Sequence, residues 1–448
     1  MKRLSFRDPL SQVYLKDDQI IRKINKNEKF FFESLFNMNF FKIMIENKWI
    51  QNTEIKDNEN HTEINHQKID NFTEVTEMSS YQLFLAGILT LDIAITSLKN
   101  GYMLKDASAW NVVFHNGKPL FLDIGSFEKW DNSKTWIGYG QFIRHFLIPL
   151  IINKELKIPI SKLFLTNRDG IYPKDAKNKL GLKVFKSLKY LEFIFVPSMI
   201  KSPSINRKIY NSTNTEMNQK VLLTILSRLR KKLLSLEPLH SSFWTKYTEK
   251  RDHYSKKDID IKKNIVENFL KKNNGKTLDI GCNTGEFLFI ASKYCDETHG
   301  IDFDEDCINF IQKNLDGKNI SLANVNFSNP TPSIGWKNEE TLGYIKKNLN
   351  YFDTIIFFGI IHHLITIDRI PMIDVIELLS KLTKKNLIFE FVSNKDKKFL
   401  ELASVNNELY KNHTKENFEI IVKKFFSIKE IFELEYNNER TIYILEKN

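Results

Sequence analysis

The sequence predicts a mixed α/β protein: a parallel-sheet domain over residues 256–448, preceded by an α+β start over 1–150 and a basic, mainly helical connector over 151–255. Three observations carry this reading. From about Ile261 short apolar runs alternate with helical stretches, as a βα alternation requires. A glycine-bearing turn, Gly281 to Gly285, joins the apolar run Thr277–Ile280 to the helical run that begins near Phe287. Finally, Phe426–Glu435 and Thr441–Leu445 flank Asn437-Asn438 so closely that two strands there can only pair antiparallel.

Composition sets the outer limits. A chain of 448 residues has room for two or three cores, and 42% hydrophobic with 27% charged residues excludes a disordered chain. Cys282, Cys295 and Cys307 are too few and too poorly spaced for a disulfide scaffold or a CxxC zinc site, so no metal is expected. They read as reduced thiols of a cytoplasmic protein. Met1 to Asp17 is mixed and charged, unlike a secretory leader.

Taken in order, Gln12–Leu15 and Gln19–Ile24 read as a hairpin about Lys16-Asp17-Asp18, followed by Phe-rich helix from Phe30 to Ile45. Residues 51–71 lack a hydrophobic period and read as a polar loop. Tyr81–Leu98 is apolar but interrupted by Gln82 and Asp92, hence a buried helix and not a membrane span. Val112–Phe114 and Leu120–Leu122 surround Asn116-Gly117, a two-residue hairpin turn. Residues 140–250 read as helices punctuated by prolines, with Ser202–Glu216 the most flexible stretch. Strands are expected again at Thr277–Ile280, Thr298–Ile301, Thr354–Phe358 and Leu387–Phe391.

Charge is concentrated in the middle. The net +11 resolves into +13 over residues 151–250 and −2 elsewhere, which marks that stretch as the place for an anionic partner.

The chemistry-bearing residues begin at Asp279-Ile280-Gly281-Cys282-Asn283-Thr284-Gly285. Gly281 and Gly285 can adopt positive φ and carry no Cβ, and Asn283 tolerates the left-handed region, so backbone can approach a ligand closely. Asp302 stands 23 residues after Asp279 at the end of the next apolar run, where a carboxylate can accept both hydroxyls of a ribose. This Asp-x-Gly-x-Asn-x-Gly loop resembles motif I of the class I S-adenosylmethionine (SAM)-dependent methyltransferases rather than the GxGxxG of NAD-binding folds. The resemblance spans about Ile261 to Asn448. It implies a Rossmann-like seven-stranded sheet with a terminal antiparallel hairpin. It also implies SAM as cofactor, with Asp279, Gly281, Asn283 and Gly285 around its amino-acid end and Asp302 on its ribose. Asn326 would contact adenine, and Cys282, Phe303, Phe358 and Gly359 complete the implied cofactor-binding set. The fourth motif, Tyr351 to Leu364, is an apolar strand running into His362 and His363 at the sheet's carboxyl edge. Either imidazole could remove the proton of a hydroxyl acceptor, or both could merely line the pocket. Glu390 reads as structural.

Near the N-terminus Asp106, Asn111 and Asp123-Ile124-Gly125 are spaced like the catalytic and metal loops of kinases and aminoglycoside-phosphotransferase-like proteins. No Gly-rich phosphate loop precedes them, and Lys23 is only a nominal counterpart of the nucleotide-binding lysine, so a degenerate kinase-like scaffold is expected. With Trp136 and Tyr139, the whole arrangement resembles bacterial fused methyltransferases that include a nodulation-associated type.

The expected function is SAM-dependent methyl transfer to an oxygen of a glycan or small anionic metabolite. Two alternatives stay open. One is an RNA methyltransferase using the basic middle, although nucleic acid is not the favoured partner. The other is a kinase-like phosphotransferase with a methyltransferase-fold binding module.

Overall fold

The computed structural model describes residues 2–6, 12–57, 62–131, 136–200, 218–238, 242 and 254–448. Ser202–Glu216 lies outside them. The chain divides into two compact units, Met1–Leu239 with Ile334–Thr341, and His240–Ser333 with Leu342–Asn448.

In the first unit, β1 (Lys2–Arg3), β2 (Gln12–Lys16), β3 (Gln19–Ile24), β4 (Thr53–Asp57) and β5 (Thr62–His66) form an antiparallel sheet in the order β1-β2-β3-β5-β4. Helices α1 (Lys26–Asn37) and α2 (Asn39–Glu46) connect β3 to β4. Asp17 and Asp18, both at positive φ, turn the β2–β3 hairpin. The loop expected over 51–71 is instead the β4–β5 hairpin. Its polar composition hid the alternation that buries Ile64 and His66.

The apolar helix is α3 (Ser80–Lys99), opened by a capping box in which Ser79 Oγ accepts the Gln82 amide and Gln82 Oε1 accepts that of Ser79. It is long and apolar enough to cross a membrane, yet 67% of its most apolar stretch is buried inside the protein. Short strands follow: β6 (Tyr102–Leu104) pairs with β9 (Phe127–Lys129), and β7 (Val112–His115) pairs with β8 (Lys118–Phe121). Asn116 and Gly117, both at positive φ, turn the second pair.

Helices fill most of 138–199, and α4 (Gln219–Leu234) lies against α3. Leu222, Leu226, Leu229 and Leu233 form its buried stripe, and Arg230 Nε reaches Asp92 Oδ1 at 2.6 Å. One apolar core runs from Ile24 to Leu236. The basic middle is therefore no separate connector as far as residue 238, because its apolar residues, Ile151 and Ile152 among them, complete the core of the first unit.

The second unit is built on a seven-stranded sheet of β10 (Lys276–Ile280), β11 (Glu297–Asp302), β12 (Ile320–Asn324), β13 (Phe352–Phe357), β14 (Thr383–Val392), β15 (Phe426–Glu433) and β16 (Arg440–Lys447). Its order is β12-β11-β10-β13-β14-β16-β15, with β10–β14 parallel and β16 antiparallel to both neighbours. The central strands are buried over nearly their whole length, as a sheet covered on both faces demands. The helix α5 (Lys256–Leu270) precedes β10, α6 (Glu286–Ala291) follows it, and α7 (Glu305–Lys313) links β11 to β12. The order reverses between β10 and β13, which opens a crevice at the carboxyl ends of those strands.

Candidate active site

At that crevice lies a cavity of about 630 Å³. It is lined by Asp279, Gly281, Cys282, Asn283, Asp302, Phe303, Asn326, Phe358, Gly359, His362 and His363. Of the expected set in this unit only Gly285 stays off the lining. It caps α6 at φ +90°, and a Cβ there would come within 3.0 Å of the Phe289 ring. Gly281 has φ +69°, and a Cβ would meet Ile360 Cδ1 at 2.7 Å. Asn283 holds the left-handed conformation at φ 47°, with its side-chain Oδ1 accepting the Thr284 amide at 2.7 Å.

Two carboxylates define the electrostatics. Asp302 Oδ2 accepts the Asn283 amide and Oδ1 the Asp304 amide, each at 2.8 Å. Burial nevertheless lifts its pKa to about 6, because desolvation outweighs those two bonds. Asp279 is 2% exposed, and its Oδ2 has no hydrogen-bond partner among the described residues. Burial first, then the charges of Asp302 and Glu286, push its carboxyl well above the usual range. A buried acceptor with an open valence beside a second carboxylate suits a cation with N–H donors. The ammonium of SAM is such a cation, and its sulfonium adds a second positive charge that the carboxylates attract without a hydrogen bond, so the residues present fit this cofactor. Asp279 and Asp302 would hold it, and the Cβ-free wall at Gly281 leaves it room.

Asn326 is exposed and its Oδ1 already accepts from the amide and hydroxyl of Ser328, at 3.0 and 2.9 Å. Its availability to an adenine amine is correspondingly reduced. Cys282 is buried, and burial pushes its thiol up, so it is a wall and not a nucleophile. His362 is buried and His363 half-buried, with ring centroids 4.3 Å apart at the start of α8 (Ile361–Thr366).

Sequence reasoning missed the floor of the cavity. Lys262 of α5 donates to both oxygens of Glu390 on β14 at 3.1 Å, and Tyr254 Oη donates to Glu390 Oε1 at 2.7 Å. Arg440 donates to Tyr254 Oη and pairs with Asp396 at 2.9 Å. Lys262 also lies over the rings of Tyr254 and Phe358, at 4.3 and 4.7 Å. No local motif announces such a cluster, since its members are up to 186 positions apart. Asn324, another missed residue, donates to the carbonyls of Asp302 and Phe303 at 3.0 Å and thereby fixes the loop carrying the expected ribose acid.

In the first unit, Asp106, Asn111 and Asp123 also converge, but on a different chemistry. Asp123 Oδ1 pairs with Arg22 Nη2 at 2.9 Å and accepts the Gly125 amide at 3.2 Å, while Oδ2 accepts the Ser126 hydroxyl at 2.5 Å. Burial raises the Asp123 carboxyl, yet Arg22 and these bonds hold it below the usual range. Asp106 is raised by burial and then by Asp123, and Asn111 donates to Ser126 Oγ at 3.5 Å. The cation on this acid is Arg22, not the neighbouring Lys23. Strand alternation sends Lys23 to the other face, over the Tyr14 ring at 5.5 Å.

Residues 278–386 match the family model described as a methyltransferase domain. Nodulation protein NoeA of Rhizobium meliloti (strain 1021) is 23% identical over 430 residues, covering 92% of this chain and 89% of that one. Among solved structures, the N-methyltransferase NodS of Bradyrhizobium japonicum WM9 aligns with 43% of this chain and 98% of its own, at 13% identity and a TM-score of 0.33. The magnesium protoporphyrin IX methyltransferase ChlM of Synechocystis PCC 6803 with bound SAH aligns with 50% and 94%, at 15% identity and a TM-score of 0.32.

Proposed function

We propose that this SAM-dependent methyltransferase acts on a hydroxyl oxygen of a glycan or small metabolite, with the acceptor seated at the His362–His363 side of the cavity. The observation that carries the reading is that one cavity is lined both by the carboxylates of Asp279 and Asp302 and by the imidazoles of His362 and His363. When bound, SAM supplies an electrophilic methyl group on a sulfonium, which an acceptor oxygen attacks in line. The chain's own residues then have three tasks. Asp279 and Asp302 orient the cationic donor. The apolar wall of Phe358 and Ile360 excludes water from the reacting centre. His362 or His363 would take the hydroxyl proton as the carbon–oxygen bond forms and the methyl–sulfur bond breaks, its electron pair staying on the sulfur, which leaves as a neutral thioether.

The charge of the cavity favours an uncharged hydroxyl over an anionic one. Each cation in the lining already faces a carboxylate: Lys262 has Glu390, Lys398 has Glu401 at 2.8 Å, and Arg440 has Asp396. An anionic acceptor would have to displace one of these partners. Likeness to a nodulation protein over nearly the full chain supports reading the two units as parts of one enzyme of that fused type.

The first unit is then a kinase-like scaffold without phosphotransfer, since Arg22 occupies the acid that a metal would need. RNA methylation rests on the charge of residues 151–250 alone.

The test incubates purified protein and methyl-labelled SAM with cell extract separated into RNA, lipid, polysaccharide, protein and small-molecule fractions, with Asp302→Ala as control. Label in the polysaccharide or small-molecule fraction, absent from the variant, supports the reading. Label in RNA, with retention of RNA that falls steeply as salt rises, replaces it with the RNA reading. Magnesium-dependent ATP turnover abolished by Asp123→Ala would overturn the scaffold assignment.

A further inference from the structure

The first unit contains a second cavity, of about 400 Å³, that the methyltransferase chemistry leaves unused. At about 30 Å³ per water in the liquid, it has room for on the order of a dozen waters, or a small organic molecule. Its walls come from three places. Trp136 and Tyr139 stand where the chain enters the helical region, Glu192 and Phe193 belong to a π-helical turn (Leu191–Phe195), and α4 contributes Ile225, Arg228 and Lys232. On α4 these three border the stripe of buried leucines, so one helix carries both an apolar wall and a cationic edge.

The charges are unequal in their freedom. Lys232 is paired with Glu192 at 2.6 Å and lies over the Phe193 ring at 5.9 Å. Arg228 has no ion-pair partner among the described residues, and it shares the lining with Tyr139, whose hydroxyl burial and then the Glu192 charge push up against the opposing pull of Arg228. Outside the cavity lining, burial and then the ammonium groups of Lys154 and Lys232 hold Lys189 below its usual pKa. Like charges gathered beside an aromatic cavity are stabilised by an anion that ends among them.

We propose that this cavity binds a small amphiphilic anion, with an aromatic or acyl body against Trp136, Phe193 and Ile225 and a carboxylate, sulfonate or phosphate on Arg228. The assignment gives the basic middle a defined ligand site. It does not depend on the methyl acceptor or on the cofactor.

The experiment uses the full chain, saturated with S-adenosylhomocysteine so that the other cavity is filled, and two fluorescent probes of nearly one shape. These are 8-anilinonaphthalene-1-sulfonate and its uncharged relative N-phenyl-1-naphthylamine. Saturable binding of both is expected, with the sulfonate preferred by roughly tenfold or more, as a bond to a charged group supplies. Arg228→Gln, an exposed position that folding does not need, should erase that preference while leaving the neutral probe's affinity unchanged. Ile225→Trp should weaken both probes at least roughly tenfold by filling the cavity, with α-helical circular dichroism retained. No saturable binding, equal affinity for the two probes, or a sulfonate preference that survives Arg228→Gln would each overturn the proposal. Should Ile225→Trp fail to fold, the Arg228→Gln comparison decides alone.

Discussion

Asp302 accepts the backbone amide of Asn283 at 2.8 Å, so the carboxylate at the end of β11 also holds the glycine turn that follows β10. One side chain thus sets the positions of two parts of the proposed cofactor site. Asp302→Ala should weaken SAM binding by roughly 10- to 100-fold, the loss expected when a charged hydrogen-bonding group is removed. Calorimetry on a variant whose circular dichroism matches wild type measures this, and unchanged affinity would remove Asp302 from the site.

Because burial lifts Asp302 to about 6 and Asp279 well above its usual range, both carboxyls keep their protons at pH values where free carboxylates have lost them. A carboxyl whose folded pKa is raised favours the folded state most at pH below its unfolded value, near 4. That contribution is lost as pH rises through about 6. A cationic cofactor reverses the preference and expels the protons. SAM affinity should therefore climb between about pH 5 and 7, with proton release visible as a dependence of binding heat on buffer ionisation enthalpy. Flat affinity across that range would contradict the assignment.

Gly281→Ala places a Cβ at φ +69° and 2.7 Å from Ile360 Cδ1. The left-handed strain alone is about 1–2 kcal/mol. A lowered Tm with strongly reduced SAM affinity is expected, and Gly281→Arg should abolish binding in a chain that still folds. Isothermal titration of both variants is the check.

His362→Ala and His363→Ala separate catalysis from lining. If one imidazole takes the acceptor proton, its loss should reduce kcat by roughly 10²- to 10⁴-fold while SAM affinity moves little. Turnover unaffected in both would leave them as walls of the cavity.

The Lys262–Glu390 pair has both side chains nearly inaccessible, at 5% and 0% exposure. Lys262→Met alone strands a buried carboxylate and should destabilise the second unit by about 3–5 kcal/mol. The double variant Lys262→Met with Glu390→Leu should recover most of that loss in chemical denaturation. A single and a double variant of equal stability would mean that the pair is not coupled.

What could be read in advance follows from how far apart the cooperating residues lie. The turn from Asp279 to Gly285 is local, and φ demands on Gly281 and Asn283 are written in the residue types themselves. Asp302 is legible because strand plus helix plus strand has a nearly fixed length. The β4–β5 hairpin was not, since Thr, Glu, Asn and His carry little hydrophobic contrast and only Ile55 and Ile64, one on each strand, mark the core-facing side. Arg22 was overlooked in favour of Lys23 because a one-residue difference in a strand decides the face and nothing local fixes it. The cluster of Tyr254, Lys262, Glu390 and Arg440 is invisible for a stronger reason: only the assembled sheet brings α5, β14 and β16 to one point.

That cluster also decides how small a working fragment can be. The matched family region begins at residue 278, but Tyr254 and Lys262, which neutralise and bond Glu390, lie upstream of it. A fragment cut at the start of the match would keep the glycine turn, Asp279, Asp302 and both histidines, yet strip the Glu390 carboxylate, sealed beneath the cavity, of its ammonium and phenol partners. Such a piece would carry every residue of the motif and lack the stability to display them. The shortest autonomous form of this fold is set by an ion pair, and it starts ahead of Tyr254.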